Sequence, residues 1–236
     1  MSTSIAFQEG DALLMIDVQK DFCPGGALPV ADGHLILPEA NAWLAQAHQQ
    51  NVPVYASRDW HPEGHVSFAE EGGDWPPHCI QDSDGARFHS QLRLPPGTVV
   101  VTKGVRFDQD QTSVFDQTGL GEHLKLRGIR RLLVGGLALD VCVLDSIMDA
   151  VAQGFDVVLI TAATLPVDPK AVPHVLERLR SARVVMTDEA VLERVANEAR
   201  DTAPEPEVCL KAPEWAEHQR FGDDDLPCDD HRSGIP

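Results

Sequence analysis

No stretch of the 236-residue sequence approaches the ~18–20 consecutive apolar residues of a membrane span, which excludes a helical transmembrane protein. The N-terminal "MSTSIAFQEGD" lacks a basic segment followed by an apolar run, so a secretory signal is not expected. Basic residues are scarce: 19 Lys and Arg stand against 37 Asp and Glu, a formal charge of −18. A polyanion of this size is repelled by nucleic acid and by acidic membrane surfaces, so neither is an expected partner. No C-x-x-C pair occurs among the five cysteines, which argues against a structural zinc knuckle. Their odd number and wide scatter suit free thiols in a reducing compartment better than a disulfide framework, and a cytoplasmic location is expected.

The hydrophobic fraction of 43% is enough for a full globular core. Short runs rich in Val, Ile and Leu occur at 12–18, 52–57, 98–104, 131–137, 156–163 and 183–187. Near-continuous apolar character is the mark of strands buried on both faces. Helical patterns lie between them, at 37–50, 142–154 and in "AVPHVLERLRSA" and "AVLERVANEAR". This alternation predicts a three-layer α/β/α fold around a central, mostly parallel sheet. Residues 1–200 are assigned to that domain. Within it, 60–97 form a long loop rich in Gly, Pro, His and Asp, of the kind that is functional or mobile. Residues 201–236 read as an acidic extension in which Trp215 and Phe221 are available for docking. An apolar surface helix leaves a homo-oligomer open.

In open α/β sheets functional groups gather beyond the carboxyl ends of the strands. The first three strands are expected to end in Asp17, Asp59 and Lys103, and Cys142 opens the helix after the fourth. Read singly, Cys142 is core filler, Asp17 a strand-end cap and Lys103 a solvated lysine. Together they point to acyl transfer. A cysteine at a helix N-terminus beside an ammonium is expected to have a depressed pKa. An aspartate can take its proton and return it to a leaving group. Backbone amides around "LALDVC" can hold an oxyanion.

Asp59 and His61, two apart at a strand end, can chelate one ion, and His78 in "WPPHC" offers a third ligand. Two histidines and a carboxylate leave positions open, as in a catalytic site. His65 is given a loop-ordering or gating role. The other seven histidines, among them His123, are read as surface. The same three ligands are also the facial triad of iron oxygenases, and a non-catalytic binding protein on this scaffold is a further alternative. Neither accounts for the lysine and cysteine at the neighbouring strand ends.

In this order, "IDVQKDFCPGGALPV", "SRDWHPEGHVSF", "WPPHC", "TKG" and "GGLALDVCV" resemble the nicotinamidases of the isochorismatase-like cysteine hydrolase superfamily. The likeness spans roughly residues 10 to 200. It implies a metal-dependent amidohydrolase that converts nicotinamide to nicotinate and ammonia through a cysteine thioester, and that also accepts pyrazinamide. A cysteine amidase for another small amide is the alternative. Carried onto this sequence, the resemblance implies a triad of Asp17, Lys103 and Cys142. It implies one divalent ion on Asp59, His61 and His78, with zinc placed before iron or manganese. It further implies a cis Leu137–Ala138 bond that aims the Ala138 and Cys142 amides, and a substrate ring held by Phe22, Trp75 and Leu28. The sequence departs from the family pattern at Leu139, Val141, Ala162, Leu165 and Thr112. None of these is a triad or ligand position.

Overall fold

The six apolar runs pair into one sheet in the computed structural model, which describes residues 5–201. The strands are β1 (Asp11–Ile16), β2 (Val54–Asp59), β3 (Val99–Lys103), β4 (Arg131–Leu137), β5 (Asp156–Leu165) and β6 (Val185–Met186). Their order is β3-β2-β1-β4-β5-β6, and every pairing is parallel, so the expected sheet is parallel throughout. Every residue of β1 is buried, which explains a continuous apolar run where a one-sided strand would alternate. The run at 183–187 contracts to two paired residues at the far edge, where only one neighbour supplies hydrogen bonds.

Among the described residues five α-helices complete the layers: α1 (Leu37–Gln49), α2 (Leu120–Leu126), α3 (Leu144–Ala152), α4 (Val172–Ser181) and α5 (Glu189–Asp201). Helix α1 opens with Pro38, whose fixed φ and missing N–H suit the first turn. Helix α2 leaves no pattern in the sequence, because seven residues span about two turns and show too little of a 3.6-residue repeat. Alternate residues of β1 feed two separate cores. Leu13 and Met15 pack with Ala40, Leu44 and Ala47 of α1, while Ala12, Leu14 and Ile16 share a cluster with residues of α3, α4 and α5. Each fully buried Leu or Ile on these faces contributes ~1.5–3 kcal/mol.

Helix α1 alone does not cover its face of the sheet. Phe88, Leu92 and Leu94, from the segment expected to be a loop, pack beside it. That segment carries one short 3-10 turn, Ala69–Glu71, and is tied down by isolated bridges between Gln19 and Phe88, His61 and Ile80, and Phe68 and Trp75. It is irregular yet built into the body. His123 departs from its surface reading: it is half-buried, and its Nε2 lies 3.2 Å from the Tyr55 hydroxyl.

The chain runs outward from β1 to β2 and β3, then crosses back to place β4 on the other side of β1. This reversal makes a crevice at the carboxyl ends of β1 and β4, where doubly wound sheets bind ligands. Gly136 permits the close approach there: a Cβ at this residue (φ 128°) would lie 2.0 Å from the Ile16 carbonyl oxygen. Among the described residues no helix is long and apolar enough to cross a membrane. Apart from Asp201, which ends α5, the expected extension at 201–236 lies outside the described residues, with Trp215 and Phe221.

Candidate active site

Four neighbouring strands deliver four reactive groups to one place. Asp17 follows β1, Asp59 ends β2 and Lys103 ends β3; Asp59 and Lys103 are register partners. Cys142 lies in a single π-helical turn, Leu139–Val143, between β4 and α3. Lys103 is 0% exposed, so it is not a solvated surface lysine. A buried ammonium persists only when paired. Its Nζ lies 2.6 Å from Asp59 Oδ1, 3.2 Å from the Gln111 carbonyl oxygen and 3.5 Å from Cys142 Sγ. Asp17 Oδ2, at 2.9 Å, makes an ion pair with it that falls short of hydrogen-bond geometry. The other Asp17 oxygen accepts from the Ser57 hydroxyl at 2.6 Å. Asp17 itself is buried and left-handed, with φ 47°.

The charges sort themselves by surroundings. Burial opposes charge on Lys103, but the Asp17 and Asp59 carboxylates outweigh it and hold the ammonium well above its usual pKa. Burial likewise opposes Asp59, yet Lys103 prevails and keeps it ionised. At Asp17 burial wins over Lys103, with help from the Asp59 charge, and the pKa rises. The Cys142 thiol is pushed well above its usual value by burial, against the pull of Lys103 and with the two aspartates adding to the rise. This corrects the expectation of a depressed thiol: burial, helped by two nearby carboxylates, overrides one ammonium and the helix terminus. Burial raises the Cys142 thiol and the Asp17 carboxyl alike, and the two present ligand atoms within 4.8 Å of each other.

Asp59, His61 and His78 present ligand atoms that all lie within 4.8 Å of one another. His61 Nδ1 is 2.9 Å from the Gly104 carbonyl and His78 Nδ1 is 2.8 Å from that of Pro76. Each ring therefore donates through Nδ1 and turns an Nε2 lone pair inward, as outer carbonyls do for metal-bound histidines. Burial keeps His78 neutral by lowering its pKa. His61 Nε2 is buried without a hydrogen-bond partner, a state that costs ~1–3 kcal/mol if nothing fills it. These donors fit a divalent ion with nitrogen and oxygen preference. Gly104 has to be glycine, since a Cβ there would meet His61 Cε1 at 2.4 Å. His65 is fully buried, with its ring centroid 4.2 Å from that of His61. Its Nδ1 is 2.8 Å from the Ser67 hydroxyl and accepts the Ser67 backbone N–H at 3.3 Å. His61, His65 and Asp110 form a second close group that shares His61 with the first.

Between the two clusters lies a pocket with about 450 Å³ of empty space, its mouth included. Phe22, Leu28, Trp75, Ala138, Val141 and Val167 give it apolar walls, and Lys103, Cys142, Asp59, His61 and His78 reach into it. The Leu137–Ala138 bond, whose Ala138 lines the pocket, is cis, as expected. All ten residues anticipated at the site thus converge there, Asp17 standing just behind Lys103.

Residues 11–190 match the Isochorismatase domain family. The chain belongs to the isochorismatase family. It is 36% identical over 171 residues to a nicotinamidase of Escherichia coli (strain K12), an alignment covering 64% of this chain and 80% of that one. A pyrazinamidase of Pyrococcus horikoshii, solved in complex with zinc, superposes with a TM-score of 0.73 at 37% identity, covering 75% of this chain and 98% of the other. PnC1 from L. infantum, solved in complex with nicotinate, gives 0.70 at 38% identity, covering 77% and 93%.

This isochorismatase-family site also contains residues that sequence reasoning passed over. Ser57 sits inside β2 and reads as strand filler, yet it holds Asp17. Gln111 supports Lys103 through its carbonyl and reaches the Val105 N–H with its side chain. Asp110 and Val167 line the pocket from segments without periodic pattern. Gln19 had a signal, the middle residue of D-x-Q-x-D. Its Oε1 accepts the Asp59 N–H at 2.7 Å, and its Nε2 donates to the Asp59 and Ala86 carbonyls at 2.8 Å each. Thr112, one of the departures, donates to Asp145 Oδ2 at 2.8 Å on the pocket edge.

Proposed function

We propose that this protein hydrolyses nicotinamide to nicotinate and ammonia, and deamidates pyrazinamide by the same route. The observation that carries the proposal is the meeting of a thiol, a proton-accepting carboxylate and a buried ammonium with a ligand cluster that adjoins them at Asp59, around one small aromatic-walled pocket. We assign Asp17, Lys103 and Cys142 to the chemistry, Asp59, His61 and His78 to one divalent ion, and Phe22, Leu28, Trp75 and Ala138 to the substrate. Zinc suits the ligands and is the ion in the Pyrococcus horikoshii relative. When bound, such an ion supplies a Lewis-acidic anchor for the pyridine nitrogen.

The chain's own groups then act in sequence. Phe22 and Trp75 flank the ring and exclude water. Asp17 takes the proton of the Cys142 thiol while Lys103 stabilises the negative charge that shifts onto sulfur. The sulfur attacks the carboxamide carbon, and the amides of Ala138 and Cys142 receive the oxyanion, a single such donor being worth ~3–4 kcal/mol. Asp17 returns its proton to the departing nitrogen. Ammonia leaves and a thioester to Cys142 remains. A water enters, gives a proton to Asp17 and attacks the thioester carbon; nicotinate departs as the thiol regains its proton. The free, buried Cys23 and Cys79 suit a cytoplasmic, reducing setting, and the charge of −18 opposes nucleic-acid partners.

Purified protein supplied with zinc should release ammonia and nicotinate in equal amounts from nicotinamide, and rapid quenching should trap a nicotinoyl adduct on Cys142 by mass spectrometry. Zinc-loaded protein that leaves both nicotinamide and pyrazinamide intact would refute the assignment.

A further inference from the structure

Three polar side chains of the D-x-Q-x-D run point to three different parts of the site. Asp17 meets Lys103 and Gln19 clasps the Asp59 peptide. The third, Asp21, belongs to the short 3-10 turn Lys20–Phe22 and reaches neither the thiol nor the pocket. Its carboxylate is nonetheless 8% exposed and fully engaged. Oδ2 accepts the Cys79 N–H at 2.7 Å and Oδ1 accepts the Ala27 N–H at 3.1 Å. Cys79 directly follows His78, and its own carbonyl accepts the His61 N–H at 2.9 Å. Its backbone is left-handed, φ 45°, and fully buried. One residue, next to His78 in the chain, is thus fastened to Asp21 through its N–H and to His61 through its carbonyl.

We infer that Asp21 is a positioning residue that holds His78 and His61 in place through Cys79, and so sets the protein's affinity for a divalent ion it does not touch. The inference rests on the ligand set proposed above. A carboxylate suits the task because it only accepts, and can serve two N–H groups at once with charge-assisted bonds. Asparagine has one acceptor oxygen, and its NH₂ would confront one of the two donors. The chain also leaves room for this carboxylate: a Cβ on Gly85 would lie 2.2 Å from both Asp21 oxygens. Gly85→Ala therefore displaces the carboxylate without removing it, whereas Asp21→Asn keeps the shape and removes an acceptor.

Zinc affinity of the two variants is measured by competition with a chromogenic chelator, beside the iodoacetamide alkylation rate of Cys142 in zinc-free protein. Both variants should bind zinc about 10–100-fold more weakly, the usual effect of removing a partner of a metal ligand. Alkylation should match wild type, because the thiol's surroundings come from Asp17 and Lys103. Excess zinc should restore turnover, as it cannot in a misfolded pocket. Wild-type affinity in both variants would overturn the inference. So would a gain in alkylation rate that parallels the loss of zinc, which would mark Asp21 as general scaffolding. If wild-type protein itself binds no zinc, the ligand set fails first, a result visible before any substitution is made.

Discussion

Asp17, Asp59, Lys103 and Cys142 stand at the ends of four adjacent strands, whereas His61, His65, Trp75 and His78 stand on a stretch between residues 60 and 98 that contains neither strand nor α-helix. The first group is placed by sheet register. Neighbouring strands lie ~4.8 Å apart, so side chains at their ends must crowd together. The second group is placed by individual bonds: Asp21 on Cys79, Gly104 and Pro76 on the imidazoles. One half of the pocket is a consequence of the fold. The other half depends on buried hydrogen bonds that contribute ~0.5–1.5 kcal/mol each. The strand-end half should therefore yield only to loss of its own groups, and the irregular half to changes outside it.

The largest effect belongs to the strand-end half. Cys142→Ala should lower kcat by roughly 10⁴–10⁶-fold, as removal of a nucleophile does in a site whose parts act together. Zinc stoichiometry should be unchanged, because sulfur is not among the assigned ligands. Steady-state ammonia release and metal analysis on one preparation read both. Zinc loss in a folded Cys142→Ala protein would show that the two halves are not separate.

Lys103→Met comes next. It leaves Asp17 and Asp59 facing each other in a dry interior with no counter-charge, and breaking a buried pair in this way costs about 3–5 kcal/mol. Urea unfolding should show that loss. A stability close to wild type would mean that one carboxylate takes up a proton at little cost, and that Lys103 serves chemistry more than structure.

The same division governs what could be read in the sequence. Parallel strands buried on both faces leave continuous apolar runs, so β1 and β4 and the residues after them were legible, and with them Asp17 and Cys142. Lys103 was placed correctly at the end of β3, but its complete burial follows from neighbours at Asp17 and Asp59 that are far away in sequence. The ionisation of Cys142 escapes the sequence for the same reason: a helix terminus is visible locally, while burial and two aspartates from other strands are not. His61 and His78 were found through the family resemblance and the chemistry of their side chains, not through periodicity. Gln19, Asp21 and Ser57 are polar residues whose work lies across 40 or more positions, and no local pattern announces that reach.

His78→Ala tests the irregular half. Deleting a ligand should weaken zinc binding at least ~100-fold, beyond the usual effect of losing an outer partner. Alkylation of Cys142 should stay at the wild-type rate, since His78 takes no part in the Asp17, Lys103 and Cys142 contacts. A change in thiol reactivity would show coupling through Asp59, which Lys103 and the ligand cluster share.

Trp75→Leu carries the smallest effect and isolates the wall from its scaffold. The Trp75 backbone donates to the Ser67 carbonyl at 3.0 Å and accepts the Ala69 N–H at 2.7 Å, and both bonds survive the substitution. Only the ring is lost, and the ring lines the pocket. An aromatic pair is worth about 0.5–1.5 kcal/mol beyond its buried area, which corresponds to a rise in KM for nicotinamide of roughly 2–10-fold. If the wall binds ground state and transition state alike, kcat stays unchanged. A fall in kcat of the same size, read from ammonia release across a range of nicotinamide concentrations, would mean that the indole orients the carboxamide toward Cys142. The irregular half would then share in the chemistry that the strand ends are assigned here.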